Sequence, residues 1–495
     1  MEKETVVLYP GMGAGHLAPM VLLAKQLVRF GFSVTIVTTA VPHQPSSTNN
    51  TRSDISSPNH SISFHALPAV SLPPVQNKHP ICLKYDTIRE YNPKLLEFLT
   101  SLSAATKIRA IILDFFQTDA ISVARELEIP VYLFMTSGAS ILAVWLHLPV
   151  LHHTIEKSFK DMAVADEQVH VPGVPSILAC DMPVSVHDRD SEMYQDRIRN
   201  YSQMTEADGI IVNTFEALEP RAVAALKDGR CVPGRRMPPV YCIGPLIGGI
   251  DKQKESQGMH ECLTWLDLQP KRSVVYLCFG SEGAFTPEQI KEIAVGLERS
   301  RQRFLWVVCS RDDARNNFKQ RSEPDLNSLL PEGFMTRTKD QGIVVKSWAP
   351  QIEVLNHVAV SCFVSHCGWN SALEAMLAGV PLICWPLYAE QAINKVLLVE
   401  ELKVGVVMDG YDKELVRAEE IEAKMRYLME SEGGRMVRER MVSSREKAVE
   451  ALAEGGPLDG ELRAFLKDTG NAKKMIATAS TELTDLHILH QSCKV

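Results

Sequence analysis

The chain has 495 residues, more than one hydrophobic core can organise, so two domains are expected. Its hydrophobic content of 45% is that of an ordinary globular protein, and its net charge of -8 comes with no long basic run, which excludes nucleic acid as a partner class. The eleven cysteines sit mostly inside apolar runs such as YLCFG and PLICWP, the pattern of buried reduced thiols, and imply a cytoplasmic setting.

The first residues pass from a charged start into an apolar run, with no signal-peptide pattern. Short Val/Ile/Leu-rich runs at 5–10, 32–39, 62–67, 108–114, 131–136 and 209–215 alternate with amphipathic ones such as 16–31. That alternation predicts parallel strands covered by helices on both faces. The longest apolar stretch, 139–151, contains His147 and Pro149 and falls short of the roughly 20 residues a bilayer span requires, so no membrane span is expected. A Pro/Gly-rich stretch at 231–249 reads as a linker. Beyond it the alternation restarts with the strand 273–280 and a helix capped by Thr286 with Pro287 in its first position. Further strands are expected at 303–309, 342–348, 361–366 and 380–386. The expected architecture is α/β: two doubly wound Rossmann-like domains facing each other across a cleft, divided near residue 245.

GMGAGHLAP, residues 11–19, occupies the first strand–helix turn. A dinucleotide fingerprint needs G-x-G-x-x-G there and an acidic residue about 20 residues on. Here His16 displaces the third glycine, and the second strand ends IVTTAVPH without an acid, so a nicotinamide site is excluded. No Lys-Ser/Thr follows for a P-loop. What is left is a histidine at a helix start on the carboxyl edge of a parallel sheet, where such folds bind ligands. On these residues alone, His16 is as well read as a local cap.

The second half offers a fuller set between Trp348 and Gln391. A strand ending at His366 turns through glycine into a helix near Asn370 and Ser371, an arrangement that binds anions. Trp348 offers a flat face for a base, Glu374 an acceptor for ribose hydroxyls, and Glu390 and Gln391 acceptors for a sugar. The inventory is that of a nucleotide-sugar site. Cys362, His366 and Cys367 lack the paired spacing of a zinc site, so no metal is expected, and nothing accompanies Cys367 to make it a nucleophile.

The Trp348–Gln391 segment closely resembles the signature box of plant secondary-product UDP-glycosyltransferases, family 1 glycosyltransferases of GT-B fold, and the chain resembles that family to about residue 456. The resemblance implies an acceptor-binding domain over 1–245, a UDP-sugar-binding domain over 246–456, and an atypical tail over 457–495. It implies that Trp348 stacks on uracil with Ala349 and Gln351 near the base, that Glu374 holds the ribose, and that His366, Asn370, Ser371 and Ser281 bind the diphosphate. Trp369, Glu390, Gln391 and Thr136 would hold the donor sugar. His16 matches the family's catalytic base and Asp114 its partner. A helix N-terminus disfavours protonated histidine and a carboxylate favours it, so the pair can poise a base near neutral pH.

The activity implied is inverting transfer of glucose from UDP-glucose to a hydroxyl of a small hydrophobic phenolic acceptor such as a flavonoid or chalcone, without metal or other cofactor, by a monomer. Gln391 at the end of the box is the feature that resembles glucose users. Phe115, Phe116 and Trp145 are candidates for the acceptor pocket, though each reads equally as core. C-glycosylation of a phenolic ring, and a terpenoid or hormone acceptor, are the alternatives. A non-catalytic nucleotide-sugar binding protein would keep the box and dispense with His16 or Asp114, both of which are present. Two departures stand out: Glu282 brings a negative charge beside the expected diphosphate, and Pro457-Leu458-Asp459-Gly460 replaces the usual run into a final helix.

Overall fold

The structure is a computed structural model that describes residues 4–39, 61–71, 78–248, 260–280, 282–309 and 323–470. Seven strands form the first sheet: β1 (Thr5–Tyr9), β2 (Ser33–Thr38), β3 (Ile62–Ala66), β4 (Ile108–Asp114), β5 (Val131–Met135), β6 (Gly209–Val212) and β7 (Val240–Cys242), in the order β3-β2-β1-β4-β5-β6-β7. Six form the second: β8 (Val274–Cys278), β9 (Arg303–Val308), β10 (Gly342–Lys346), β11 (Val360–Ser365), β12 (Leu382–Cys384) and β13 (Gly405–Val407), in the order β10-β9-β8-β11-β12-β13. Neighbouring strands pair in parallel throughout both sheets. The architecture is therefore α/β with two Rossmann-like domains.

Strand residues alternate between two apolar layers, as the period of two requires. In β1, Val7 and Tyr9 join one layer, while Val6 and Leu8 join the other with Leu17, Met20 and Leu23 of α1 (Ala14–Arg29). In β8, Val274 and Tyr276 face one way and Val275 and Leu277 the other. The central strands of both sheets are buried on both faces, which explains their continuous apolar sequences, while the edge strands β3, β10 and β13 are only partly covered.

The strand order reverses between β1 and β4 in the first sheet and between β8 and β11 in the second. At such switch points, adjacent connections leave to opposite faces and open a crevice at the carboxyl ends of the strands. The loop holding His16 follows β1 and Asp114 ends β4; Gly280 follows β8 and His366 follows β11. Each half-site thus lies at the switch point of its own sheet.

The segment after residue 456, expected as a tail, is helical over 457–470 and packs on the first sheet. Leu458, Leu462 and Phe465 are buried, and Phe465 meets Tyr132 and Tyr241 edge-on. Arg109 donates to Thr469 and to the Leu466 carbonyl, and Tyr241 donates to Asp468 at 2.8 Å. Pro457 in the first helical position begins this helix rather than disrupting it. Residues 471–495 lie outside the described residues. Among the described residues no helix is long and apolar enough to cross a membrane.

Candidate active site

α1 begins with Gly13 as its N-cap at φ +111, a conformation that excludes a side chain. This sharp entry puts His16 in the first turn. Its Nδ1 lies 2.8 Å from Asp114 Oδ2, with the carboxylate fully buried and the imidazole side chain 21% exposed. The second carboxylate oxygen, Oδ1, accepts from the Phe116 amide at 3.0 Å. Asp114 is thus fixed from both sides. A Cβ on Gly11 would stand 2.7 Å from Oδ1, so the first glycine of the loop makes room for this carboxylate. With Nδ1 donating to Asp114, Nε2 of His16 is left as the proton acceptor.

Phe115 and Phe116 line this histidine, with ring centroids 5.7 and 5.2 Å from its imidazole. Trp145, on α3 (Ala139–Thr154; preceded by α2, Pro80–Ala105), is buried and stacks on Tyr201 at 4.9 Å, so it belongs to the packing behind that tyrosine. Thr136 follows β5 and is buried. Its loop is held by Glu219, a buried carboxylate that accepts from the Ala139 and Ser140 amides, both at 2.8 Å, and so caps α3. Thr214 also donates to Glu219 at 2.5 Å, but the two amides that define its capping role lie 80 and 79 residues earlier in the chain, so sequence reasoning missed it.

The facing domain brings most of the Trp348–Gln391 set together. Gln351 starts the helix Gln351–Asn356, and its Nε2 donates to Ser371 Oγ at 2.9 Å and to Glu374 Oε2 at 2.7 Å. Burial pushes the Glu374 carboxyl up to about 7. Trp348 follows β10 and is 63% exposed, with His260 edge-on to its ring at 5.8 Å, while Ala349 is buried. Ser281 lies outside the described residues. Glu282 has an exposed side chain, and its charge acts on Lys84 of α2, where desolvation works the other way.

His366 is buried, and desolvation lowers its pKa to about 4, so the ring is neutral near pH 7. Its Nδ1 has no hydrogen-bond partner among the described residues. Two glycines make space for the imidazole: a Cβ would stand 2.6 Å from Nε2 at Gly280 and 2.4 Å at Gly368. Gly368 also caps the helix Trp369–Ala378, and no side chain caps the first N–H groups of that helix, the arrangement that suits an anion.

Trp369 and Asn370 join the two domains. The Trp369 indole donates to the Asn213 carbonyl at 2.7 Å, so its side chain faces the first domain. The indole N–H is therefore committed to the joint between the domains. Asn370 Nδ2 donates at 3.3 Å to the carbonyl of Gly15, the residue before His16. Glu390 is the N-cap of the helix Gln391–Val396, and Gln391 is buried with Oε1 accepting from the Leu387 and Tyr388 amides at 2.9 and 3.0 Å. That leaves the Gln391 Nε2 donor rather than its acceptor for a ligand.

Cys362 and Cys367 are buried and their thiols are pushed well above the ordinary value by burial, which keeps them protonated. Among the described residues the one group of side chains close enough to share a metal is Cys82, Glu192 and Asp196. Its carboxylates already meet Lys78 and Arg199.

Residues 237–415 match the model of the UDP-glucoronosyl and UDP-glucosyl transferase family. UDP-glycosyltransferase 88B1 of Stevia rebaudiana is 44% identical over 458 residues, covering 92% of this chain and 96% of its own. Phloretin 2'-O-glucosyltransferase of Malus domestica is 44% identical, covering 94% and 99%. The structure of UGT2 of Phytolacca americana with UDP-2-fluoro-glucose and pterostilbene superposes with a TM-score of 0.82 at 36% identity, over 94% of this chain and 100% of that one.

Proposed function

The chain belongs to the UDP-glycosyltransferases, and from that premise we propose that it moves glucose from UDP-glucose to a hydroxyl of a phenolic acceptor with inversion at the anomeric carbon. The observation that carries the chemistry is the His16–Asp114 contact of 2.8 Å at the switch point of the first sheet, tied to the donor side through Asn370 and Gly15. His16 Nε2 takes the acceptor's proton as its oxygen attacks the anomeric carbon. The bond from that carbon to the diphosphate oxygen breaks, and UDP leaves with the electron pair. Asp114 holds the tautomer and stabilises the imidazolium as it forms.

The departing charge develops before the N-terminus of the Trp369–Ala378 helix, where unpaired N–H groups and the helix dipole stabilise it. His366, neutral in its buried seat, offers a hydrogen bond there, and diphosphate charge would draw its pKa back up. Trp348 stacks on uracil with Ala349 and Gln351 beside it, Glu374 holds the ribose, and Asn370, Ser371 and Ser281 reach phosphate. The Trp369 main chain, Glu390, Gln391 Nε2 and Thr136 hold glucose. No step in this scheme requires a metal.

A phenolic acceptor is supported by Phe115 and Phe116 around His16, and by relatives named for phloretin and solved with pterostilbene. The ten cysteines among the described residues are free, which fits a reducing compartment, and we place the enzyme in the cytoplasm as a monomer. Incubation of the purified chain with UDP-glucose and a phenolic acceptor tests the proposal. A β-glucoside that acid hydrolyses is expected. An α-linked product would refute inversion, and an acid-resistant product would move the attack to a ring carbon.

A further inference from the structure

Arg197 lies on the helix Glu192–Gln203 of the first domain and is only 8% exposed. Its Nη1 donates to Tyr85 Oη at 3.1 Å, and its Nε has no hydrogen-bond partner among the described residues. The neighbouring Asp196 carboxylate turns instead to Arg199 at 2.6 Å and Arg89 at 3.6 Å. What surrounds the cation is aromatic: Cζ lies 4.7 Å from the Phe116 ring centroid, 5.7 Å from Tyr85 and 5.9 Å from Tyr201. Phe116 is also the ring that packs against His16, at 5.2 Å, and it alone of these three is not fully buried. A guanidinium therefore stands one aromatic ring away from the base.

Burying a guanidinium is costly unless its charge and its fork of donors are met. Ring faces and phenol oxygens meet part of that need. Desolvation works against the charge of Arg197, whereas Tyr201, Tyr85 and, from the facing domain, Glu390 favour it, and Lys84 is a further cation nearby. None of these contacts is an ion pair with a carboxylate.

We propose that Arg197 is the acceptor-recognition residue, receiving an oxygen of full or partial negative charge on a planar aromatic acceptor whose reacting hydroxyl faces His16. A carboxylate, or a carbonyl conjugated to the phenol, has this chemistry. The inference deepens the glycosyl-transfer reading and rests on it. Its alternative is that Arg197 serves Glu390, and therefore the donor sugar.

Three acceptors sharing one dihydroxybenzene ring decide the matter: 2,4-dihydroxyacetophenone, 2,4-dihydroxybenzoate and 4-ethylresorcinol. In the wild type, kcat/KM for one or both oxygen-bearing compounds is expected to exceed that for 4-ethylresorcinol by about 10- to 100-fold, the worth of a charge-assisted hydrogen bond. Which of the two wins identifies the oxygen as carbonyl or carboxylate. Arg197→Met is expected to abolish the preference while UDP-glucose KM and UDP affinity hold. Arg197→Lys keeps the charge without the planar fork and is expected to retain only part of the preference, which gives a second reading should the Met variant not fold.

Equal losses on all three acceptors in a variant that still binds UDP, a preference unchanged in Arg197→Lys, or an effect confined to UDP-glucose KM would each overturn the proposal. Wild-type transfer without any preference overturns this inference alone. Absence of transfer to all three, with UDP still bound, overturns the phenolic-acceptor reading and this one with it.

Discussion

At Gly11, a methyl group would have to share space with a carboxylate oxygen 2.7 Å away, and that carboxylate orients His16. Gly11→Ala is therefore expected to lower kcat by about 100-fold or more through the loss of a placed base, with UDP affinity unchanged. Loop glycines are visible in any sequence, but their purpose is not. GMGAG invited comparison with a pyrophosphate loop, and the partner that explains its first glycine is an aspartate on another strand. Glu374 supplies a second test at this scale. Its carboxyl is raised to about 7 by burial, and ribose hydroxyls donate best to its ionised form. UDP affinity should therefore fall about tenfold between pH 8 and pH 6, and Glu374→Gln should remove that part of the profile, leaving the titration of the diphosphate itself. The sign for the free protein is opposite. A carboxyl with a raised folded pKa holds its proton more tightly folded than unfolded, so its stabilising contribution is lost as pH rises through about 7.

The elements follow one rule used twice. Each domain places its candidate site residues where the strand order reverses, His16 and Asp114 beside β1 and β4 and His366 beside β8 and β11. The strands were legible because parallel strands buried on both faces read as continuous Val/Ile/Leu runs. The segment Trp348–Gln391 was legible because its residues are local in sequence and share one strand–turn–helix unit. Side-chain direction was not legible. Trp369 reads as a ligand contact in the sequence, yet its indole bonds Asn213 of the other domain, and Gln391 uses its oxygen on its own loop. Gly368 joins two requirements, a helix cap and space for His366, with a hypothetical Cβ 2.4 Å from Nε2. Gly368→Ala is expected to weaken UDP binding by at least about tenfold, measured by titration calorimetry, since the imidazole is buried and has nowhere to retreat.

At the scale of the whole molecule, the chain ends by returning to the domain it began with. The helix 432–452 lies on the second domain, where Arg445 donates to the Leu377 carbonyl at 2.9 Å, and the helical run 457–470 then packs on the first sheet. Its amphipathic spacing, Leu458, Leu462 and Phe465, is present in the sequence, but Pro457 and Gly460 near its start read as a break rather than as a helix beginning. Phe465→Ala removes a fully buried ring and is expected to destabilise the first domain by about 3–5 kcal/mol in denaturant titration. The domains are further joined by the buried pair Lys395–Asp181 at 2.7 Å, with Tyr411 also donating to Asp181. Lys395 lies on the helix that starts at Gln391, so the joint also fixes the end of the Trp348–Gln391 segment.

These scales converge on His16, placed by one domain and tied through Gly15 to the helix Trp369–Ala378 of the other. The measurement that tests the account most directly is turnover of radiolabelled UDP-glucose with a phenolic acceptor by His16→Ala, alongside UDP affinity on the same preparation. The account predicts a fall in kcat of about 100- to 10,000-fold with UDP affinity retained. Turnover by His16→Ala at the wild-type rate would contradict it.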